Sequence, residues 1–122
     1  MIKSQKILNR PDLPLRATTI RVPVERCHAE SVDVGLKKRT TREEVLEALA
    51  QEPGLQLFAS LGYGDLPFGQ DFIGKNTVGI GRVRTPVGEP SSRRVMFWNI
   101  ADNLRVGAAS NAVSILEKYY RS

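Results

Sequence analysis

RVMFWNIADN, residues 94–103, decides how this chain must fold. Its first eight residues are apolar on both faces of a β-strand, and a strand of that kind belongs inside a sheet with cover on both sides. Asp102 ends the run with a side chain suited to capping a helix. Beyond it Ala108, Ala109, Ala112, Val113, Leu116, Tyr119 and Tyr120 recur at helical spacing, which predicts a closing helix from Asp102 to about Tyr120. Small residues at its start suggest that something packs closely there.

Upstream, NTVGIGRVRT (76–85) is the next strand back. Its alternation of Val78 and Ile80 breaks phase at Val83, so a bulge near Gly81 is expected, and Gly79 and Gly81 suggest close backbone approach. Residues 59–76 hold four glycines and a proline and read as a long loop, preceded by a short strand, LQLF (55–58). Thr41 followed by Glu44 forms a capping box, and Val45, Leu46 and Leu49 continue it as a helix ended by Pro53–Gly54. ESVDVGL (30–36) alternates with Val32, Val34 and Leu36 on one face. ATTIRVPV (17–24) is β-branched and alternating, with Pro23 at an edge or strand end, and is expected to pair with it through the turn Arg26–Ala29. The order implies an α+β domain with a mixed, mostly antiparallel sheet and two main helices.

The chain has 122 residues, enough for one domain with a core. No apolar run approaches the roughly 18 residues of a membrane span, and MIKSQKILNR lacks the apolar centre of a secretory signal, so a cytoplasmic protein with no membrane association is expected. One cysteine excludes an internal disulfide and leaves no Cys/His cluster for a metal. The net charge of +5 raises the question of nucleic acid. However, Lys37, Lys38, Arg39, Arg42, Arg82, Arg84, Arg93 and Arg94 form no helix stripe and accompany no aromatic-studded strand. A solvated basic surface or a small-anion site is the simpler reading, with no nucleic-acid partner.

The single cysteine and the single histidine adjoin, as Cys27 and His28. Neighbours on a strand point to opposite faces and are poorly placed to form a nucleophile–base dyad. Cys27 therefore reads as a small filler. His28, at a strand-to-strand turn beside Glu25, Arg26 and Glu30, is either structural or an accessible titrating group. Arg21 lies in an apolar segment, where it needs a carboxylate partner or an anionic ligand. GIGRVR lacks the third glycine of a nucleotide fingerprint and lies within a strand.

Three stretches together resemble the aspartate-semialdehyde dehydrogenases. TTIRVPVERCHAESV (18–32) resembles their RVPVxxGHSE strand-turn, VGIGRVR (78–84) is similar to their VxVGRIR strand, and WNIADNLRVGAASNAV (98–113) resembles their closing WxVxDNLRKGAALNAV segment. SQKIL near the start is similar to their ETxKIL run, with Lys3 in place of its Glu. The resemblance covers nearly the whole chain and implies the reversible conversion of aspartyl phosphate to aspartate semialdehyde with NADPH, through a cysteine thioester, with phosphate entering or leaving. It implies His28 as the acid/base, Arg21 as the clamp on the substrate carboxylate, and Asn103, Gly107 and Ala108 near the nucleotide.

The departures are Cys27 for the family glycine, Ala29 for its serine, Val106 for its lysine and Ser110 for its leucine. A glycine position with φ > 0 would leave Cys27 strained. The family's glycine-rich turn, its Asn-Cys nucleophile motif, and the acidic and lysine residues before ETxKIL all fall outside this sequence. The chain thus resembles a C-terminal third: residues 1–101 as part of the catalytic and dimerisation domain, and 102–122 as a helix that would pack on a nucleotide domain. Alone it is not expected to catalyse the reaction. Expected partners are a second copy or a complementary N-terminal fragment. The alternative is a non-catalytic oligomerisation or interaction module.

Overall fold

The computed structural model describes residues 3–121. After a short helix α1 (Lys3–Ile7), the chain runs without regular structure to β1 (His28–Thr41), then α2 (Arg42–Ala50) and β2 (Leu55–Phe58). A four-residue helix α3 (Gly69–Phe72) precedes β3 (Val78–Arg84) and β4 (Ser91–Ala101). A π-helical turn (Arg105–Ala109) then leads into α4 (Ser110–Arg121). One sheet of order β1-β4-β3-β2 results, antiparallel except for the β2–β3 pair. This is the mixed, mostly antiparallel α+β arrangement expected, with two internal strands: β4 between β1 and β3, and β3 between β4 and β2.

Cover is less complete than the sequence of β4 led one to expect. α2 packs on one face, setting Val45, Leu46 and Leu49 against a core of Ile80, Val83 and Val95. The capping box that starts α2 is formed: Glu44 N–H donates to Thr41 Oγ1 at 3.2 Å, and Thr41 N–H donates to Glu44 Oε2 at 2.8 Å. Met96, Phe97 and Trp98 remain only half-buried.

β3 carries the anticipated bulge. Its register to β4 shifts between Gly81 and Arg84, and Arg82 takes φ 57. The two glycines are there for the loop above them. A Cβ on Gly79 would run into the Phe72 ring and stand 2.8 Å from Pro67, and one on Gly81 would stand 2.7 Å from Pro67. Phe72, fully buried on α3, thus orders the segment read as a plain loop. It joins Cys27 and Ile100 in a second core cluster, with Phe58 against it.

The expected first strand, 17–24, does not form. Ile20, Val22 and Val24 are exposed, and Val24 N–H turns back to Val22 O. The cause lies at residues 26 and 27, which are bound to the end of β4, so the incoming chain is led away from the free edge of β1. Pro23 also removes a ladder donor. The closing helix starts later than expected, because the π-helical turn intervenes between Asp102 and α4. The stripe Val113, Leu116, Tyr119 and Tyr120 is exposed. Among the described residues no helix is long and apolar enough to cross a membrane.

Gly79→Ala should lower stability by about 1–3 kcal/mol through overpacking against Phe72 and Pro67. Gly35→Ala, which meets open space, should change it by less than about 0.5 kcal/mol. Chemical denaturation of the two variants checks the contrast, and equal effects would remove the close-approach account of β3.

Candidate active site

The site is built where β4 ends and β1 begins. His28 opens β1 opposite Ala101, the last residue of β4. Asp102, which follows, has no exposed surface. Its Oδ2 accepts from Arg26 Nη2 at 2.6 Å and from Gly74 N–H at 2.7 Å, and its Oδ1 accepts from Leu104 N–H at 2.9 Å. Buried charge is tolerable only when it is paired and hydrogen-bonded in this way. The Gly74 N–H foremost, then the Leu104 N–H and the Arg26 guanidinium, hold the Asp102 carboxyl below the usual carboxylate range, against the opposing pull of burial. Arg26 Nε is buried and has no hydrogen-bond partner among the described residues.

Asn103 makes the second connection. Its Oδ1 accepts from Cys27 N–H at 3.1 Å. Cys27 stands at φ 78, the left-handed region in which glycine is at ease, so the strain anticipated from the family glycine is present. Its thiol is buried beside Phe72 and Ile100 and donates to Gly69 O at 3.2 Å. Burial pushes the Cys27 thiol up, the Asp102 charge adds to this, and Arg26 opposes it. A thiol so placed stays protonated at neutral pH and fills a core, as the filler reading requires.

His28 is exposed, and its imidazole has no hydrogen-bond partner among the described residues. Arg21 is likewise exposed and has no salt bridge among the described residues. No carboxylate partner is found there to explain it. Glu30, opposite Asn99 across the strands, accepts from Asn99 Nδ2 at 3.1 Å. Gly107 and Ala108 lie exposed in the π-helical turn, a distortion often found at functional sites. Around Gly107 the nearest atom a Cβ would meet is Asn103 Cβ at 3.8 Å, so this chain's own packing does not demand a glycine there.

Two contributors were not foreseen in the sequence. Arg26 occupies a position the family pattern leaves open. Asn76 lies in the short connection from α3 to β3, where its Oδ1 accepts from Arg105 Nε at 2.8 Å and Ser110 Oγ at 3.0 Å, fastening the closing segment. A separate open groove of about 470 Å³, lined by Arg39, Arg93 and Arg94 among others, lies at the opposite end of β1 and β4. There Arg94 is held by Asp33 at 2.6 Å, and Arg39 donates to Ser91 O. Among the described residues no group of three or more His, Cys, Asp or Glu gathers to hold a metal.

Two measurements follow from this geometry. Because the folded-state pKa of Asp102 lies below its unfolded value of about 3.9, its ionised form stabilises the fold above that pH. The contribution is lost as pH falls below about 4. Asp12, Asp33 and Glu44 are depressed too and act in the same window. Asp102→Asn should therefore be less stable at pH 7, with a flatter but not level stability curve between about pH 5 and 2; an unaltered slope would refute the assignment. At Cys27, the Ala variant loses the thiol and keeps the strain, whereas the Gly variant loses one carbon more and relieves about 1 kcal/mol of it. Cys27→Gly should thus be at least as stable as Cys27→Ala. The opposite order by denaturation would show that the turn is unstrained.

Comparison with known proteins bears on the whole of this arrangement. The sequence profile described as the semialdehyde dehydrogenase dimerisation domain matches residues 1–106. Aspartate-semialdehyde dehydrogenase 2 of Vibrio cholerae is 39% identical over 120 residues, covering 98% of this chain and 34% of that protein. The aspartate-semialdehyde dehydrogenase of Prochlorococcus marinus is 33% identical over 115 residues, covering 94% of this chain and 33% of that protein. The crystal structure of aspartate semialdehyde dehydrogenase II from V. cholerae, complexed with ASA, matches with a TM-score of 0.84 at 38% identity, over 98% of this chain and 34% of that one. The chain therefore spans about a third of the length of these relatives. It belongs to the semialdehyde dehydrogenase family and corresponds to the C-terminal, dimerisation-domain portion of the aspartate-semialdehyde dehydrogenases.

Proposed function

We propose that this chain supplies the acid/base and the substrate clamp to the active site of an aspartate-semialdehyde dehydrogenase, completed by a nucleotide-binding region that carries the nucleophilic cysteine. The observation that carries the reading is His28 itself: solvent-accessible, free of hydrogen-bond partners among the described residues, and mounted on the first ladder position of β1 beside a buried charged junction. An imidazole so presented can take a proton from an approaching thiol and return it to a leaving group, the work of a general acid/base. Arg21, exposed and without an ion pair among the described residues, has its planar fork available for a substrate carboxylate. Glu30 lies two residues beyond His28 along β1, on the same strand face.

The family's NADP would supply or accept the hydride, and Asn103, Gly107 and Ala108 would face it. Their fit rests on the exposed small residues of the π-helical turn and on the room left at Gly107. The segment from Asp102 onward would pack on the nucleotide-binding region through the exposed stripe of α4.

A non-catalytic oligomerisation module is the second reading, favoured by surface. The chain exposes 9712 Å², against about 6,600 Å² for a compact monomer of its mass. That excess exceeds what each partner buries in an ordinary interface, about 800 Å². Apolar side chains are exposed along the α4 stripe and half-exposed on β4. Under both readings the chain self-associates, consistent with a dimerisation-domain profile.

Co-expression with the N-terminal two-thirds of the V. cholerae relative separates the readings. Under the first, the purified assembly oxidises aspartate semialdehyde with dependence on phosphate and NADP. His28→Ala then lowers kcat by about 10²–10⁴-fold, and Arg21→Lys acts chiefly by raising KM, by roughly tenfold or more. An assembly that co-purifies in stoichiometric amounts and turns over nothing supports the module.

A further inference from the structure

Asp102 and Asn103 leave β4 directly after Ala101, the register partner of His28. Each takes hold of one residue just ahead of His28: Asp102 Oδ2 accepts from Arg26 Nη2 at 2.6 Å, and Asn103 Oδ1 accepts from Cys27 N–H at 3.1 Å. The backbone ladder ends at the His28–Ala101 pair. With Cys27 at φ 78 the backbone has left the extended region, and a side-chain acceptor, the Asn103 carboxamide oxygen, receives the Cys27 amide beyond it. We infer that Asn103 is a positioning residue for His28, carrying the β1–β4 ladder one step past its last backbone pair, with the Arg26–Asp102 pair as its support. This rests on the reading of His28 as the acid/base and gives Asn103 a task apart from any contact with nucleotide.

The His28 imidazole has no hydrogen-bond partner of its own among the described residues, so its direction follows from the backbone that carries it. On the N-terminal side that backbone has little other support, since residues 17–25 are exposed. On the inner side, Cys27 Sγ donates to Gly69 O and fixes where the turn sits. The Asn103 bond fixes the orientation of the Cys27–His28 peptide about that point. Misplacing a reacting group by about 1 Å can cost on the order of a hundredfold in rate, so an effect on turnover is expected without loss of substrate binding.

His28 is the sole histidine, so its imidazole resonance in the isotope-labelled full chain is unambiguous. Asn103→Ala should shift that resonance and speed hydrogen exchange at the Cys27 amide by about tenfold or more. Asn103→Asp, which keeps an acceptor oxygen, should restore both in large part. In the assembled enzyme Asn103→Ala should lower kcat by about tenfold or more with the KM for aspartate semialdehyde within about twofold, again rescued by Asp. Val45→Ala, in α2, should lower the melting temperature without moving the His28 resonance, the Cys27 exchange or kcat. The inference is overturned if Asn103→Ala leaves the resonance and the amide exchange at their wild-type values, or if an active assembly keeps its kcat. A wild-type assembly without activity sinks the acid/base reading instead, and the two magnetic-resonance observables still decide the positioning of His28.

Discussion

The buried carboxylate of Asp102 governs how the parts of this chain meet. Its three donors come from three separate segments: Arg26 ahead of β1, Gly74 at the end of the glycine-rich loop, and Leu104 at the entry to the closing helix. A fully buried charge is costly unless every part of it is satisfied, so these segments must converge together or not at all. β4 brings the carboxylate to the right place because it is bonded on both sides, to β1 and to β3. The position of His28, the path of residues 17–25 and the late start of α4 are consequences of that junction.

A second constraint is surface. Among the described residues the buried hydrophobic side chains are a handful, in two small clusters. Met96 and Trp98 on β4 are only half-buried, and the apolar stripe on α4 is exposed. Apolar surface of this extent calls for a neighbour, whether a second copy or the remainder of a larger enzyme. The same incompleteness separates the two proposed catalytic groups. His28 is seated on a ladder and tied from behind, whereas Arg21 lies on a segment whose exposed Ile20 and Val22 have yet to find their packing.

What the sequence made legible was local chemistry. The Thr41–Glu44 box, the phase break at Gly81 and the internal position of RVMFWNIA each follow from residues within about ten of one another, where periodicity and capping act. The strand expected at 17–24 failed because its alternation describes a β-compatible segment but cannot provide a partner edge. The bonds that redirect it, from Arg26 and Cys27 to Asp102 and Asn103, join residues 76 apart. Asn76 was invisible for the same reason. The candidate site was legible only through family resemblance, and one inference drawn from it was physical: a cysteine in a glycine's place ought to be strained, and φ 78 is that strain.

Why such a residue is tolerated follows from what stands on each side of it. A glycine at position 27 would suit the backbone but leave the space between Gly69, Phe72 and Ile100 unfilled; a larger or β-branched residue would fill it at a higher conformational cost. Cysteine is small enough for the left-handed region, apolar enough for the core, and able to donate to Gly69 O. Its backbone N–H is the group that Asn103 receives. The substitution thus keeps the turn's geometry while anchoring it more firmly from within, and the histidine beside it gains a stiffer support than a glycine would give.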